Sequence, residues 1–218
     1  MPQTSPSSPE LADCGDRPKT QAERTALAER RMLDAAVKLL NSAGMEGATL
    51  KAIGEKAGYS RGLATHHFGT KAALFRKLLR EISATWVREL NEQVSGLTGL
   101  EAFAAAARAH LNHVLARPEQ LRAMYILWFG SLDPGSEFKP NLSGFMKLQR
   151  LSMANWVRGG QEAGEIRQDV NPDRMGEQLY ATLIGINHQW LVDPSLDLER
   201  AYEEMNHNIY HLLQDAAA

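Results

Sequence analysis

From Gln21 to near the end of the chain, the apolar residues recur every three or four positions, which is the spacing of one face of an α-helix. One such set comprises Leu33, Ala36, Val37 and Leu40. No segment shows the apolar–polar alternation that is typical of a half-buried β-strand. Glycine and proline divide the pattern into separate segments, so the sequence predicts an all-α fold with roughly nine or ten helices.

Capping residues and helix breakers indicate where these helices begin and end. Gly44 is expected to end the first helix, and Thr49 to cap a short one that ends before Gly58. Ser60 is expected to cap a second short helix over residues 61–68, and Thr70 a longer one. Later helices are expected at residues 100–116, 118–130, 138–163, 172–190 and 197–213. Residues 1–20 are rich in Pro, Ser and Thr without any period, which predicts a disordered tail.

Charge is distributed unevenly along the chain, although the formal net charge is only −2. Residues 21–80 carry eleven Lys and Arg against five Asp and Glu, a balance of +6. Residues 81–218 carry eleven against eighteen, a balance of −7, and residues 1–20 contribute the remaining −1. A basic front part and an acidic rear part indicate two different tasks, and the front part is the candidate for binding a polyanion such as nucleic acid.

Other classes of protein are disfavoured by what the sequence lacks. Cys14 is the sole cysteine, so an intrachain disulfide and a cysteine-based zinc site are excluded. The apolar run 124–129 is far shorter than the roughly 18 residues of a membrane span, and the N-terminus has no signal-peptide stretch, so we expect a cytoplasmic protein with no membrane partner. Gly-rich phosphate loops, nucleophile elbows and Ser/His/Asp arrangements are missing, so no catalytic residue and no cofactor are expected.

Histidine pairs do not predict a metal site in this sequence. His66 and His67 are adjacent, and adjacent residues point to different faces of a helix. His110 and His113 have the spacing to share a ligand, but we interpret them as ordinary polar or pocket residues.

The two short helices joined at Gly58 are typical of a helix-turn-helix. Four apolar residues are expected to pack the pair together: Leu50, Ile53, Ala57 and Leu63. Ser60, Arg61, Gly62, Thr65 and His66 are then left to face outward. These residue types suit DNA, because an arginine can bond guanine bidentately, a glycine admits a close backbone approach, and hydroxyl and imidazole groups can donate to phosphate.

Residues 49–75, TLKAIGEKAGYSRGLATHHFGTKAALF, resemble the N-terminal signature of TetR-type transcriptional regulators. In the rear part, residues 163–172 resemble the segment before that family's two dimerisation helices. The resemblance spans residues 22 to about 213. It implies a tail at 1–20, a helix-turn-helix DNA-binding domain at 21–69, and a helical ligand-binding and dimerisation domain at 70–218.

The resemblance also implies roles for single residues of the front motif. Thr49 matches a threonine that contacts phosphate, and Arg61, Gly62 and Thr65 fall where the family touches base edges. His66 and His67 stand where the family usually has aromatic residues, before Phe68. Lys71 matches a lysine that reaches a phosphate at the start of the fourth helix. The usual pair of tyrosines is replaced by Thr65 and His66, which removes a common aromatic contact with phosphate.

A ligand pocket is implied for the rear part, on the segments that line the family's pocket. The apolar candidates are Trp86, Met124, Trp128, Phe145, Met153 and Trp156. The polar candidates that could orient a ligand are His113, Gln149 and His188. We therefore expect a small, largely apolar effector, aromatic or acyl in character.

A homodimer is expected from the last two helices. Their apolar stripes are Met175, Leu179, Leu183, Ile186 and Trp190 in the first, and Tyr202, Met205, Ile209 and Leu212 in the second. These stripes suggest more apolar surface than one chain covers, which predicts a two-fold four-helix bundle and a roughly palindromic double-stranded DNA operator. The function expected is a repressor that its effector releases from DNA. The alternative is an α-helical carrier or enzyme that uses the rear pocket.

Overall fold

The computed structural model describes residues 20–60, 62–137 and 139–214, and within these ranges it contains nine α-helices and no β-strand. The helices are α1 (Gln21–Gly47), α2 (Leu50–Lys56), α3 (Leu63–Phe68), α4 (Lys71–Val94), α5 (Gly99–Ala116), α6 (Pro118–Gly130), α7 (Lys139–Glu162), α8 (Pro172–Val192) and α9 (Leu198–Gln214). The predicted all-α fold is confirmed. The predicted tail lies outside the described residues except for Thr20, and so does Cys14. None of the described helices is long and apolar enough to cross a membrane.

Threonine caps set the starts of α2 and α4. The side-chain oxygen of Thr49 accepts a hydrogen bond from the backbone N–H of Ala52 at 3.1 Å, and Thr70 accepts from Ala73 at 3.1 Å. Each bond satisfies an N–H group that has no partner inside the helix. Both predicted starts are confirmed.

The start of α3 differs from the prediction. This helix begins at Leu63, with Gly62 at its N-cap and no side-chain cap. The prediction that Ser60 caps a helix from residue 61 is wrong, because Gly62 is the N-cap, and the first helical hydrogen bond among the described residues runs from the N–H of His66 to the carbonyl oxygen of Gly62. Ser60 instead accepts a turn hydrogen bond through its backbone carbonyl, from the N–H of Leu63 at 3.0 Å.

Gly44 interrupts α1 where the sequence predicts its end. Its backbone has φ 65° and ψ −170°, so one last turn, residues 45–47, follows a break in the helix. The positive φ is a conformation that glycine adopts without steric cost. The break directs the chain into the helix-turn-helix.

Two large clusters of buried side chains form the core. The first joins α1, α2, α3 and the first half of α4 to α6, and includes Met32, Ile53, Phe75 and Leu127. The second lies among α5 to α9, and includes Val157, Tyr202 and Leu213. A smaller cluster brings Trp86 and Leu90 of α4 against Ala106 of α5. The helix α4 therefore belongs to the front core at its start and to the rear part at its end.

The apolar stripes of α8 and α9 face the interior of their own chain. Their buried members are Met175, Leu179, Tyr202, Met205 and Ile209. Leu212, also assigned to the stripe, is 55% exposed, and Leu213 takes the buried position. Within the chain, α7 packs against α8 and α5 packs against α9, while Leu183, Ile186 and Trp190 of the α8 stripe are only half-buried.

Candidate functional site

The helix-turn-helix is held together by close packing between α2 and α3. Ile53 and Ala64 are fully buried, and Leu50, Leu63 and Ala57 pack against the same core cluster, as predicted. A glycine that the sequence reasoning did not single out, Gly54, allows this approach: a Cβ there would lie 3.2 Å from the carbonyl oxygen of Ser60. Gly58, with φ +80°, makes the turn between the two helices.

The outward side of α3 carries the residues predicted to meet DNA. Ser60, Gly62, Thr65 and His66 are exposed, and His67 is half-buried. A Cβ at Gly62 would meet no atom within 4 Å, so the helix start is open to a partner. Arg61, the base-reading candidate, lies outside the described residues.

Thr49 and Lys71 both make contacts within the chain. The Thr49 hydroxyl oxygen caps α2, which leaves its hydrogen to donate to a partner. The Lys71 ammonium donates to the carbonyl oxygen of Met45 at 2.5 Å and lies 5.7 Å from the centre of the Phe75 ring. An ammonium carries three N–H donors, so Lys71 can tie α1 to α4 and still offer two donors to a phosphate.

A cavity, here called the inner cavity, lies among α4, α5, α7, α8 and α9. Its ring and sulfur groups come from Trp86, Phe103, Trp156, Met153 and Met205, and its aliphatic groups from Leu90, Ala106, Ala107, Leu179, Leu183 and Ile209. The polar lining residues are His110, Gln149, Ser152 and Asn206. The volume of the inner cavity is about 50 Å³.

The polar groups of the inner cavity are uncharged. Tyr202 donates its hydroxyl hydrogen to Asn187 Oδ1 at 3.0 Å, so its oxygen, 2.6 Å from His110 Nδ1, accepts from that nitrogen. Burial lowers the pKa of His110 to about 3, which keeps its ring neutral with Nε2 as an acceptor. Trp86 Nε1 donates to Gln149 Oε1 at 3.4 Å. None of the described lining residues is Asp, Glu, Lys or Arg, which favours a neutral ligand.

A second, more open space, here called the outer groove, lies between α4 and α7. Trp128 and Phe145 line it with their ring centroids 6.3 Å apart, and Arg76 and Arg80 also line it. Its volume is about 610 Å³. Trp128 and Phe145, predicted to line a single pocket with Trp86, therefore border a different space.

Three further predicted ligand residues lie outside both spaces. Met124 packs between the two core clusters. His188 is exposed on α8, with its ring 5.1 Å from that of Phe129. His113 is buried, with Nδ1 2.6 Å from a Glu89 oxygen. Of the nine predicted residues, the inner cavity gathers only Trp86, Gln149, Met153 and Trp156.

Glu89, His113 and Arg117 connect α4 to α5 beside the inner cavity. Arg117 donates to both Glu89 oxygens, at 2.7 and 3.2 Å. The hydrogen bond from His113 and the nearby positive charges hold the pKa of the Glu89 carboxyl below its usual value. This cluster fixes the later half of α4 against α5 and engages Nδ1 of His113.

Similarity to known proteins covers both parts of the chain. Residues 32–78 match the family model described as bacterial regulatory proteins, tetR family. The chain is 32% identical over 169 residues to the HTH-type transcriptional regulator BetI of Escherichia coli K12, covering 76% of this chain and 82% of BetI.

Solved structures share the whole architecture. The SmeT–triclosan complex, SmeT being the repressor of a Stenotrophomonas maltophilia multidrug efflux pump, has a TM-score of 0.70 at 20% identity and covers 87% of this chain and 93% of its own. A protein from Saccharomonospora viridis in complex with choline has a TM-score of 0.76 at 18% identity, covering 87% and 99%. At these identities the likeness concerns the fold.

Proposed function

The chain belongs to the TetR family of bacterial regulatory proteins and is a helix-turn-helix transcriptional regulator, and from this premise we propose that it is a homodimeric repressor. It binds a roughly palindromic operator through α3 and leaves it when a small, uncharged, largely apolar molecule occupies the inner cavity. The observation that carries the proposal is the open, exposed side of α3 on the part of the chain with a balance of +6. A carrier or enzyme has no use for such a surface.

Salt dependence tests the DNA-binding half of the proposal. A protein that neutralises phosphates releases condensed counterions, so affinity falls linearly on a logarithmic salt scale. We expect a gel shift with the gene's own upstream region to weaken steeply between 50 and 200 mM salt, by about a thousandfold for roughly six phosphate contacts. Scrambled DNA of the same length is the control. Binding that is equal on both DNAs, or indifferent to salt, would contradict the proposal.

The effector follows from the lining of the inner cavity. Phe103 and Trp156 meet edge to face with ring centroids 5.4 Å apart, and Trp86 meets His110 at 4.6 Å. Aromatic walls with a few neutral polar groups suit a ring-containing ligand that carries one hydrogen-bonding end. Triclosan and choline, which are bound in the SmeT and Saccharomonospora viridis complexes, are suitable first probes for a neutral and a cationic ligand.

Release from DNA requires the ligand to favour a different shape of the dimer. A ligand shifts the balance between two shapes only by its difference in affinity for them. The helix α4 connects the two sites, since Lys71 at its start lies beside α3 and Trp86 lines the inner cavity. We propose that an occupied cavity moves the later half of α4 and thereby changes the spacing of the two α3 helices.

A substitution that fills the inner cavity tests whether the effector binds there or in the outer groove. Ala106→Leu adds three carbons to the cavity lining, so we expect it to block effector binding and abolish operator release while DNA affinity stays within about threefold. Overpacking of this size costs about 1–3 kcal/mol of folding stability. Phe145→Ala, in the outer groove, is the comparison and should leave release intact. The readouts are tryptophan fluorescence for binding and gel shift for release. If Phe145→Ala abolishes release and Ala106→Leu leaves it intact, the effector binds in the outer groove.

The second copy of the chain is proposed to pack against the exposed side of α8. That side presents uncharged residues, of which Gln178, Ala181, Thr182 and Gln189 are exposed and Gly185 is half-buried. Small residues allow two helices to approach closely, and a patch of this kind can meet its own copy across a two-fold axis. Two α3 helices related by that axis would then face successive major grooves of a palindrome.

A further inference from the structure

A line of hydrogen-bonded polar side chains runs from the inner cavity to α6, through His110, Tyr202, Asn187 and Tyr125. Tyr125, Asn187 and Tyr202 are buried, and His110 lines the cavity. Because the buried groups are shut off from water, each one must find its partner in a neighbour. The order of donors and acceptors can therefore be followed from Tyr125 back to the cavity.

The direction of the line is set at Tyr125. Its hydroxyl oxygen lies 2.9 Å from the backbone carbonyl oxygen of Ile184, which can only accept, so Tyr125 donates its hydrogen there. Burial raises the pKa of Tyr125, and a side-chain hydrogen bond with Asn187 opposes that rise. Since its own hydrogen is already used, the Tyr125 oxygen accepts in this second bond. The amide nitrogen of Asn187 therefore points towards Tyr125.

The same reasoning continues from Asn187 to the cavity. With its amide nitrogen towards Tyr125, Asn187 presents Oδ1 to Tyr202, whose hydroxyl donates to it at 3.0 Å. The Tyr202 oxygen is then the acceptor for Nδ1–H of His110, 2.6 Å away. The ring of His110 is neutral, because burial lowers its pKa to about 3. A neutral imidazole carries one ring proton, so a proton on Nδ1 leaves Nε2 as an acceptor.

The Nε2 atom of His110 is left for a ligand. The part of the chain that the structure describes offers this nitrogen no hydrogen-bond partner. The ring is held in place, since Trp86 meets it edge to face with the ring centroids 4.6 Å apart. Met153 and Met205 also line the cavity, and their unbranched side chains can make room for a ring-shaped ligand.

Resting on the proposed function, which places the effector in the inner cavity, we propose that His110 selects an effector with an N–H or O–H group. The class is a neutral aromatic alcohol, phenol or N–H heterocycle. A ligand that only accepts can bond the amide nitrogen of Gln149, whose Oε1 already accepts from Trp86. Such a ligand leaves Nε2 of His110 unpaired and shut off from water, which costs affinity. Tyr202 is the positioning residue, because it holds the proton of His110 on Nδ1.

Calorimetry with indole and benzofuran tests the selection, because these two molecules share one shape and differ by N–H against oxygen. We expect the wild-type chain to bind indole at least about tenfold more tightly than benzofuran. His110→Phe keeps an aromatic ring beside Trp86 and removes the acceptor, so its preference for indole should fall to within about twofold. Ala106→Leu should weaken the binding of both molecules, since it fills the cavity.

Tyr202→Phe tests how the proton is positioned, with Tyr180→Phe as the matched control. Tyr202→Phe removes the acceptor of Nδ1–H, so the proton can move to Nε2 and the preference for indole should disappear. Tyr180 is also a buried tyrosine, but its hydroxyl has no hydrogen-bond partner among the described residues. Tyr180→Phe should keep the wild-type preference. The measured quantity is the ratio of the two affinities, which a general loss of stability does not change.

Nitrogen-15 NMR of the histidine rings locates the proton without any ligand. The wild-type chain and Tyr180→Phe should show His110 protonated on Nδ1, and Tyr202→Phe should show it protonated on Nε2. The signals of His110 are those that are missing from His110→Phe. A wild-type ring protonated on Nε2 would overturn the inference, even if a variant fails to fold.

The two probes also separate this inference from the proposed function. Equal affinity of the wild-type chain for indole and benzofuran, with both weakened by Ala106→Leu, would overturn the inference and leave the inner cavity as the effector site. Binding of both probes that Ala106→Leu leaves unchanged would overturn the inference and the proposed effector site together.

Discussion

Gly62→Glu is expected to abolish operator binding while the fold, the dimer and the inner cavity stay intact. Gly62 is the exposed N-cap of α3, with φ −83°, a conformation that any residue can adopt. A side chain there would meet no atom of the chain within 4 Å. A carboxylate at a helix N-terminus is also favoured by the helix dipole, so folding stability should not fall.

The loss of DNA binding has a simple electrostatic cause. The new carboxylate would lie where the proposal brings α3 against DNA, and like charges held together at an interface cost several kcal/mol. A loss of about 2.8 kcal/mol of binding free energy at each α3 corresponds to a hundredfold loss of affinity for that half of the operator. Gel shift at fixed salt measures this loss, and tryptophan fluorescence with the effector measures the cavity.

Gly144→Glu is the matched control for this variant. Gly144 is an exposed helical glycine of α7, and a Cβ there also meets nothing within 4 Å. It adds the same charge to the chain on α7, which is not part of the helix-turn-helix, so operator affinity should change by less than about twofold. An equal loss in both variants would mean that net charge, and not the α3 surface, governs DNA binding.

The local elements could be predicted from the sequence because their signals are local. Thr49 and Thr70 cap the helices that they precede. Gly44 and Gly58 interrupt the helical pattern with a positive φ, which glycine adopts without steric cost. Phe75, Leu79, Ile82 and Trp86 recur at helical spacing on α4, and all four are buried. The start of α3 was misplaced because a serine is a common cap, and the sequence does not reveal that the helical hydrogen bonds begin two residues later.

The grouping of residues around the cavity could not be predicted in the same way. Trp86 and Trp128 are the same residue type, but the packing of the helices places Trp86 in the inner cavity and Trp128 in the outer groove. Leu183 and Ile209 belong to stripes that looked like dimer surface, and they line the cavity. Periodicity identifies the apolar face of a helix, whereas the neighbour that covers this face depends on contacts between distant parts of the chain.

Gly185→Glu is expected to convert the dimer into a folded monomer. Leu183 and Ile209, which the sequence suggested as interface positions, line the inner cavity, so a charge at either would damage the chain itself. Gly185 is half-buried on the side of α8 proposed to meet the second copy, and a Cβ there meets nothing within 4 Å in the single chain. Glutamate is also a better helix former than glycine by roughly 0.5–1 kcal/mol, which favours the folded monomer.

Loss of the dimer should greatly lower the affinity for the operator. In a two-fold pair, the second α3 binds at the effective concentration that the first provides, which is worth about 10²- to 10⁴-fold in affinity. Sedimentation at micromolar concentration should therefore show a monomer for Gly185→Glu and a dimer for Gly144→Glu. Gel shift should show a loss of at least about a hundredfold for the former alone. Two glutamates, one from each copy, cannot be buried without partners at the centre of a close helix pair. If Gly185→Glu remains a dimer, the interface does not lie on this side of α8, and the proposed dimer is contradicted.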